Sequence, residues 1–416
     1  MAYGDKNLVP KVEIEAVQTV TSIKPTDPRQ TRRVLVTDPV GSGIFRRCLN
    51  IVIYYKKVVE EDSGWIVAGW MKESLGRVLV DQPMLSGRLR RTSSEDIGDE
   101  LEIVSNDSGV RLIETKIPIT LLQFLDHQSK ETSEESEAQL VFWNDVDDQN
   151  PQFSPLFYFQ VGEARNCRAA MNKGKRSEVV ELRFAESWTR EEREQILMTC
   201  QMTSFRVTNF ECGGYSIGIS CNLLLADILF KENFFQKWAN VHKDIVSKSN
   251  SPKNPVFYFP NLKKGSCKTA DIPNSSDQIK NNDHTVIFKI TDENLCSLDK
   301  ESEKKLILAH VEEVERKVGS KMASKFPVYL RESSNKIKIE YCTKNVDHDK
   351  QLELINKSTH EVSRGSWDDL GVSEVDFGLG NKPNRVTYWI GSISDDGVVV
   401  AIPSTSGLNI IVSVPT

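Results

Sequence analysis

One stretch constrains this chain more than any other: residues 212–239, CGGYSIGISCNLLLADILFKENFFQKWA. After its cysteine and two glycines, Tyr215, Ile217, Ile219 and Cys221 share one parity, and Ser216, Gly218, Ser220 and Asn222 the other. That period of two predicts a half-buried strand with one small, polar face. Beyond Ala226-Asp227 the period changes, and Phe230, Phe234, Trp238 and Val241 recur about every four residues, as on an amphipathic helix. Residues 222–227 therefore form a strand-to-helix turn. Such turns present side chains at the end of a sheet, where ligands bind.

Composition narrows the function classes. Over 416 residues, 39% hydrophobic and 27% charged, there is material for two ordinary soluble domains. A net charge of −6 without a basic stripe argues against nucleic acid as a partner. The opening MAYGDKNLVPKVEIEAV has acidic residues and no apolar run, so no signal peptide is expected, and no stretch approaches a membrane span. The eight cysteines form no C-x-x-C pair, which predicts a reduced, cytoplasmic setting. No His/Cys cluster has ligand spacing, so no metal is expected.

Along the chain, strands are predicted at 11–23, 49–56, 107–114, 284–290 and 336–342, with helices at 64–80, 293–299 and 301–318 and a strand region at 388–415. Prolines and glycines mark 24–43 as loop. The acidic run 128–150 reads as a solvated loop. The Lys-, Asn-, Ser- and Pro-rich stretch 246–283 is the expected linker. It separates an N-terminal domain, 1–245, from a C-terminal domain, 284–416.

The central stretch resembles the motif of the plant BAHD acyltransferases, a Gly-Gly strand that leads into His-x-x-x-Asp and a helix ending F-x-x-x-W-A. Leu85-Ser86-Gly87-Arg88-Leu89 resembles that family's A-G-R-L turn. Asp376-Phe377-Gly378-Leu379-Gly380 resembles its D-F-G-W-G loop, with Leu379 for tryptophan. An ungapped alignment puts the family's aspartate at Asp227 and its histidine at Leu223. Residues about 163–203 break the match and read as an insertion.

The resemblance implies an α/β fold of two chloramphenicol-acetyltransferase-like domains with mixed β-sheets and a channel between them. It implies acyl-CoA as ligand or co-substrate, with no resident cofactor, and a monomer. It also implies that Asp227 orients the turn through an ion pair and that the D-F-G loop is structural. The departure is chemical. Acyl transfer from a thioester needs a base to take the acceptor's proton, and histidine titrates near neutrality. Leucine has no proton-accepting atom. The nearest polar atoms belong to Ser220, Cys221 and Asn222, and none is adjacent in sequence to a base or cation that would activate it. No confident catalytic residue follows.

Three functions stand open at this point. One is a pseudoenzyme that binds an acyl thioester. It would act as an accessory protein, in the manner of the Eceriferum2-like wax proteins that assist fatty-acid elongation, with a protein partner at the endoplasmic reticulum. Another is an active CoA-dependent O- or N-acyltransferase with a non-standard base. The third is a different reaction, such as a lyase step on an acylated substrate.

Overall fold

The structure, a computed structural model, describes residues 12–56, 64–94, 98–128, 133–163, 214–231, 233–248, 285–291, 300–332, 336–344, 361–365, 370–377, 380–391, 396–404 and 407–415. Fifteen strands and six α-helices are present among them. The strands are β1 (Glu13–Val20), β2 (Thr31–Val36), β3 (Cys48–Tyr55), β4 (Arg88–Ser94), β5 (Gly98–Val104), β6 (Val110–Lys116), β7 (Phe157–Glu163) and β8 (Tyr215–Asn222). They continue with β9 (Thr285–Thr291), β10 (Lys325–Arg331), β11 (Ile337–Thr343), β12 (Glu361–Gly365), β13 (Arg385–Gly391), β14 (Val398–Ser404) and β15 (Gly407–Ser413). The helices are α1 (Gly64–Asp81), α2 (Leu121–Gln128), α3 (Ser133–Ala138), α4 (Ala226–Lys231), α5 (Phe234–Lys248) and α6 (Lys300–Val318).

Two mixed sheets organise the chain. One has six strands in the order β1-β6-β7-β8-β3-β13, and the other nine, in the order β12-β9-β15-β14-β10-β11-β2-β5-β4. The fold is therefore the expected α/β arrangement of two sheets. Strands cross the 246–283 division in both directions. β2, β4 and β5 join the nine-stranded sheet, and β13 pairs with β3 in the six-stranded one. Residues 249–284, most of the expected linker, lie outside the described residues, as do 164–213, which include nearly all of the expected insertion, and the helix expected at 293–299.

β3, CLNIVIYY, is apolar on both parities and buried throughout, as befits an interior strand. On one face of its sheet Leu49, Ile51 and Ile53 join Phe157, Phe159, Ile217 and Ile219. That face packs with Met71, Leu75 and Leu79 of α1 and Phe234, Phe235 and Trp238 of α5. The same cluster reaches Val34, Tyr329, Ile337, Val400 and Ile402 of the nine-stranded sheet, so one apolar core joins the two sheets. The far face of the nine-stranded sheet packs Phe288, Val328 and Val412 against Ile307, Leu308, Val311 and Val314 of α6.

Three expectations need correction. Residues 24–43 are not all loop. TRRVLV alternates, and β2 is held between β5 (antiparallel) and β11 (parallel), a pairing partner that the prolines on either side hid. The acidic run 128–150 is not a solvated loop. It contains α3, and Leu140, Trp143 and Val146 are buried. That segment also overturns the half-buried reading of β8, which is buried at every position. The carbonyl of Leu140 lies on Gly218 so closely that a Cβ there would stand 1.8 Å from it. The small, polar parity of β8 thus admits a second layer of backbone.

Candidate functional site

The turn that ends β8 is built as the sequence suggests. Leu223–Leu225 form one 3-10 turn, and α4 follows directly. Asn222 caps it, its side-chain oxygen accepting from the Leu224 amide at 2.9 Å while its amide nitrogen donates to the Ile44 carbonyl at 2.7 Å. The Leu223 amide donates to the Arg47 carbonyl at 3.2 Å. Asn222 has its side chain fully committed to holding the turn, and it has no basic atom.

Leu223 is 5% exposed and lines a narrow cleft between the sheets, with a cavity volume of about 10 Å³. Across the cleft stand Tyr329, Ile337, Val400 and Ile402, with Asp227 and Arg331 as the charged groups of the lining. The Tyr329 hydroxyl donates to the Ser42 carbonyl at 2.9 Å, and burial pushes its pKa up. The lining therefore places no histidine or free carboxylate beside position 223 among the described residues.

Asp227 binds two arginines that come from the other sheet. Arg32 of β2 donates to its Oδ1 at 2.8 Å, and Arg331 of β10 lies against its Oδ2. Arg32 also donates to the Leu224 carbonyl at 3.3 Å. Burial lowers the pKa of Arg32 to about 10. Burial, then the nearby like charge of Arg32, lowers that of Arg331 to about 10. Both stay cationic at neutral pH. Charges buried this deeply persist only when paired, so Asp227 pins the end of β8 to the nine-stranded sheet. The contacts set one carboxylate between two cations.

Ser220 and Cys221 are both buried and hydrogen-bonded within the protein. The Ser220 hydroxyl donates to Asn50 Oδ1 at 2.6 Å within the sheet. Cys221 is wholly buried, which pushes its thiol pKa well above the ordinary value, and its Sγ donates to the Asn222 carbonyl at 3.5 Å. A thiol kept protonated is a poor nucleophile.

The D-F-G loop lies elsewhere. Asp376 pairs with Lys243 of α5 at 2.9 Å. Phe377 packs against Trp238 and His242, with ring centroids 4.9 and 5.3 Å away. The Tyr55 hydroxyl donates to the Val375 carbonyl at 2.8 Å. Gly378 and Leu379 lie outside the described residues, and Gly380 has φ +75°. His242 is buried and neutral, its Nδ1 3.2 Å from Ser74 Oγ. His310 on α6 faces Phe288 and the Leu306 carbonyl. Neither ring lines the cleft.

Sequence reasoning missed Arg32, Arg331, Tyr329 and Arg47. Arg32 sat in a stretch read as loop, and Arg331 is more than a hundred residues from Asp227. Only the alternation of TRRVLV carried any signal. Among the described residues no group of three or more His, Cys, Asp or Glu could hold a metal ion, and no helix is long and apolar enough to cross a membrane.

A sequence profile of the Transferase family matches residues 11–167 and 190–326, well over half of the chain. The chain belongs to the Transferase family. This is the BAHD-type family that the motif at 212–239 resembles. The gap in the match, 168–189, falls within the stretch read as an insertion, and the D-F-G loop lies beyond the matched residues. No curated protein matches in sequence. Among solved structures the chain is similar to vinorine synthase, at 14% identity and TM-score 0.41, over 98% of this chain and 95% of that one. It is also similar to F. sporotrichioides TRI101 complexed with coenzyme A and T-2, at 13% identity and TM-score 0.40, over 92% and 94%. A third is the starter condensation domain of rhizomide synthetase RzmA, at 9% identity and TM-score 0.33, over 93% and 90%.

Proposed function

We propose that this Transferase-family protein binds an acyl thioester, with CoA as the natural carrier, and has lost most or all of the acyl-transfer step. The observation that carries the reading is Leu223. It occupies a buried position on the inter-sheet cleft, at the place where the alignment with the family motif puts a histidine. In acyl transfer the acceptor's nucleophilic atom attacks the thioester carbonyl, and its proton must leave as the tetrahedral intermediate forms. A positioned base contributes on the order of 10²–10⁴ in rate. The Leu223 side chain accepts no proton. The polar atoms around it are used in bonds that hold the turn. Asp227 is occupied by two arginines. The role that fits is that of a cytoplasmic, monomeric accessory protein acting beside fatty-acid elongation or wax formation at the endoplasmic reticulum.

The test is a panel of acyl-CoAs measured by calorimetry, with transfer to mixed alcohols and amines followed by mass spectrometry, on wild type and Leu223→His. Wild type is expected to bind without measurable transfer, and the histidine variant to gain roughly a hundredfold in turnover. Rapid turnover by wild type would overturn the impairment. Absence of binding to every acyl-CoA would overturn the thioester reading.

A further inference from the structure

Residues 37–47, between β2 and β3, touch both sheets beside Leu223. On the side of the motif turn, the Ile44 carbonyl accepts from Asn222 Nδ2 at 2.7 Å and the Arg47 carbonyl from the Leu223 amide at 3.2 Å. On the side of the nine-stranded sheet, the Ser42 carbonyl accepts from the Tyr329 hydroxyl at 2.9 Å. The Arg47 guanidinium crosses to the turn before β14, donating to Asp396 Oδ1 at 2.8 Å and to the Gly397 carbonyl at 3.1 Å. Arg47 is only 1% exposed at its side chain, whereas Asp396 is 23% exposed. Gly43, at φ +76°, makes room for it: a Cβ there would stand 2.6 Å from Arg47 Nε. One residue, Arg47, therefore ties the backbone at position 223 to the opposite sheet.

We propose that residues 37–47 are a latched strap and that the Arg47–Asp396 pair controls access to the cleft at Leu223. This rests on the thioester-binding reading for what would use the access, but the closure itself is read from the contacts alone. The segment is anchored by the carbonyls of Ser42, Ile44, Phe45 and Arg47, by the Arg47 guanidinium, and by the Ile44 and Phe45 side chains buried in the core. The four carbonyl contacts are single neutral hydrogen bonds. The Arg47 pair is charge-assisted and partly reachable by water at Asp396, so it is the polar anchor that ties the segment most strongly to the turn before β14.

The test uses Leu223→Cys in the full chain as a reporter, alkylated with N-ethylmaleimide and read peptide by peptide by mass spectrometry. Labelling at a buried position follows the population of the open form. Adding Asp396→Asn, which keeps the side chain's shape, or Arg47→Ala should speed labelling at 223 by about tenfold or more. If Arg47→Ala fails to fold, Asp396→Asn and Tyr329→Phe still decide. The same strap variants, with Leu223 intact, are titrated with palmitoyl-CoA by calorimetry. Faster labelling with tighter binding supports both the strap and the thioester reading. Faster labelling with no binding in any variant supports the strap and refutes the thioester reading. Unchanged labelling refutes the strap, whatever is bound.

Discussion

Removing the carboxylate of Asp227 tests whether the two sheets are pinned at the motif turn. In Asp227→Ala, Arg32 and Arg331 lose the charge between them, and they face each other as like charges. Arg32 is 4% exposed and cannot rehydrate without parting β2 from the turn, while Arg331 is 19% exposed and partly can. Breaking a buried pair by removing one partner costs about 3–5 kcal/mol. At about 2.1 cal/mol/K per residue the unfolding entropy of a chain of 416 residues is roughly 0.9 kcal/mol/K. The midpoint should therefore fall by about 3–6 °C. The assay is thermal unfolding by calorimetry, completed as a cycle with Arg32→Met and the double variant. Removing the cation together with the anion should cost less than the sum of the two single changes, because the uncompensated charge is gone. A midpoint shift below about 1 °C, or strict additivity in the cycle, would refute the reasoning.

Two further outcomes follow from packing and protonation. Gly218→Ala drives a Cβ to 1.8 Å from the Leu140 carbonyl, so it should cost at least about 1–3 kcal/mol in urea unfolding, and a neutral substitution would show that residues 139–143 do not cover β8 as described. His242 is held neutral by burial, its pKa lowered from 6.5 to about 3. Its contribution is present above pH 6.5 and is lost as pH falls toward the folded value, because the unfolded chain binds the proton first. From pH 7 to 5 wild type should lose about 2 kcal/mol more than His242→Gln in urea midpoints, and equal losses would show that the ring is not buried as a neutral group.

Much of this was legible in the chain because it depends on neighbours in sequence. The alternation at 215–222 and its switch to a four-residue repeat gave β8, the turn and α5, since side-chain direction follows backbone period. The position of Leu223 beside Asp227 followed from spacing alone. What the sequence determined by itself was thus the local elements, the family resemblance and the lack of a base at the turn.

The tertiary structure decided what surrounds that turn. Asp227 needed two cations, and they come from β2 and β10, strands about two hundred and one hundred residues away in the chain. The sheet order that delivers them interleaves strands from both halves of the chain, and no local pattern encodes it. The same holds for residues 128–150. Their acidic surface reads as loop, yet Leu140 is drawn in because Gly218 of β8 leaves room for its backbone, and Trp143 because it packs on Tyr158 of β7. Periodicity fixes which way a side chain points. Only the assembled sheets fix what it meets, because burial and charge pairing are settled between segments that the chain keeps far apart.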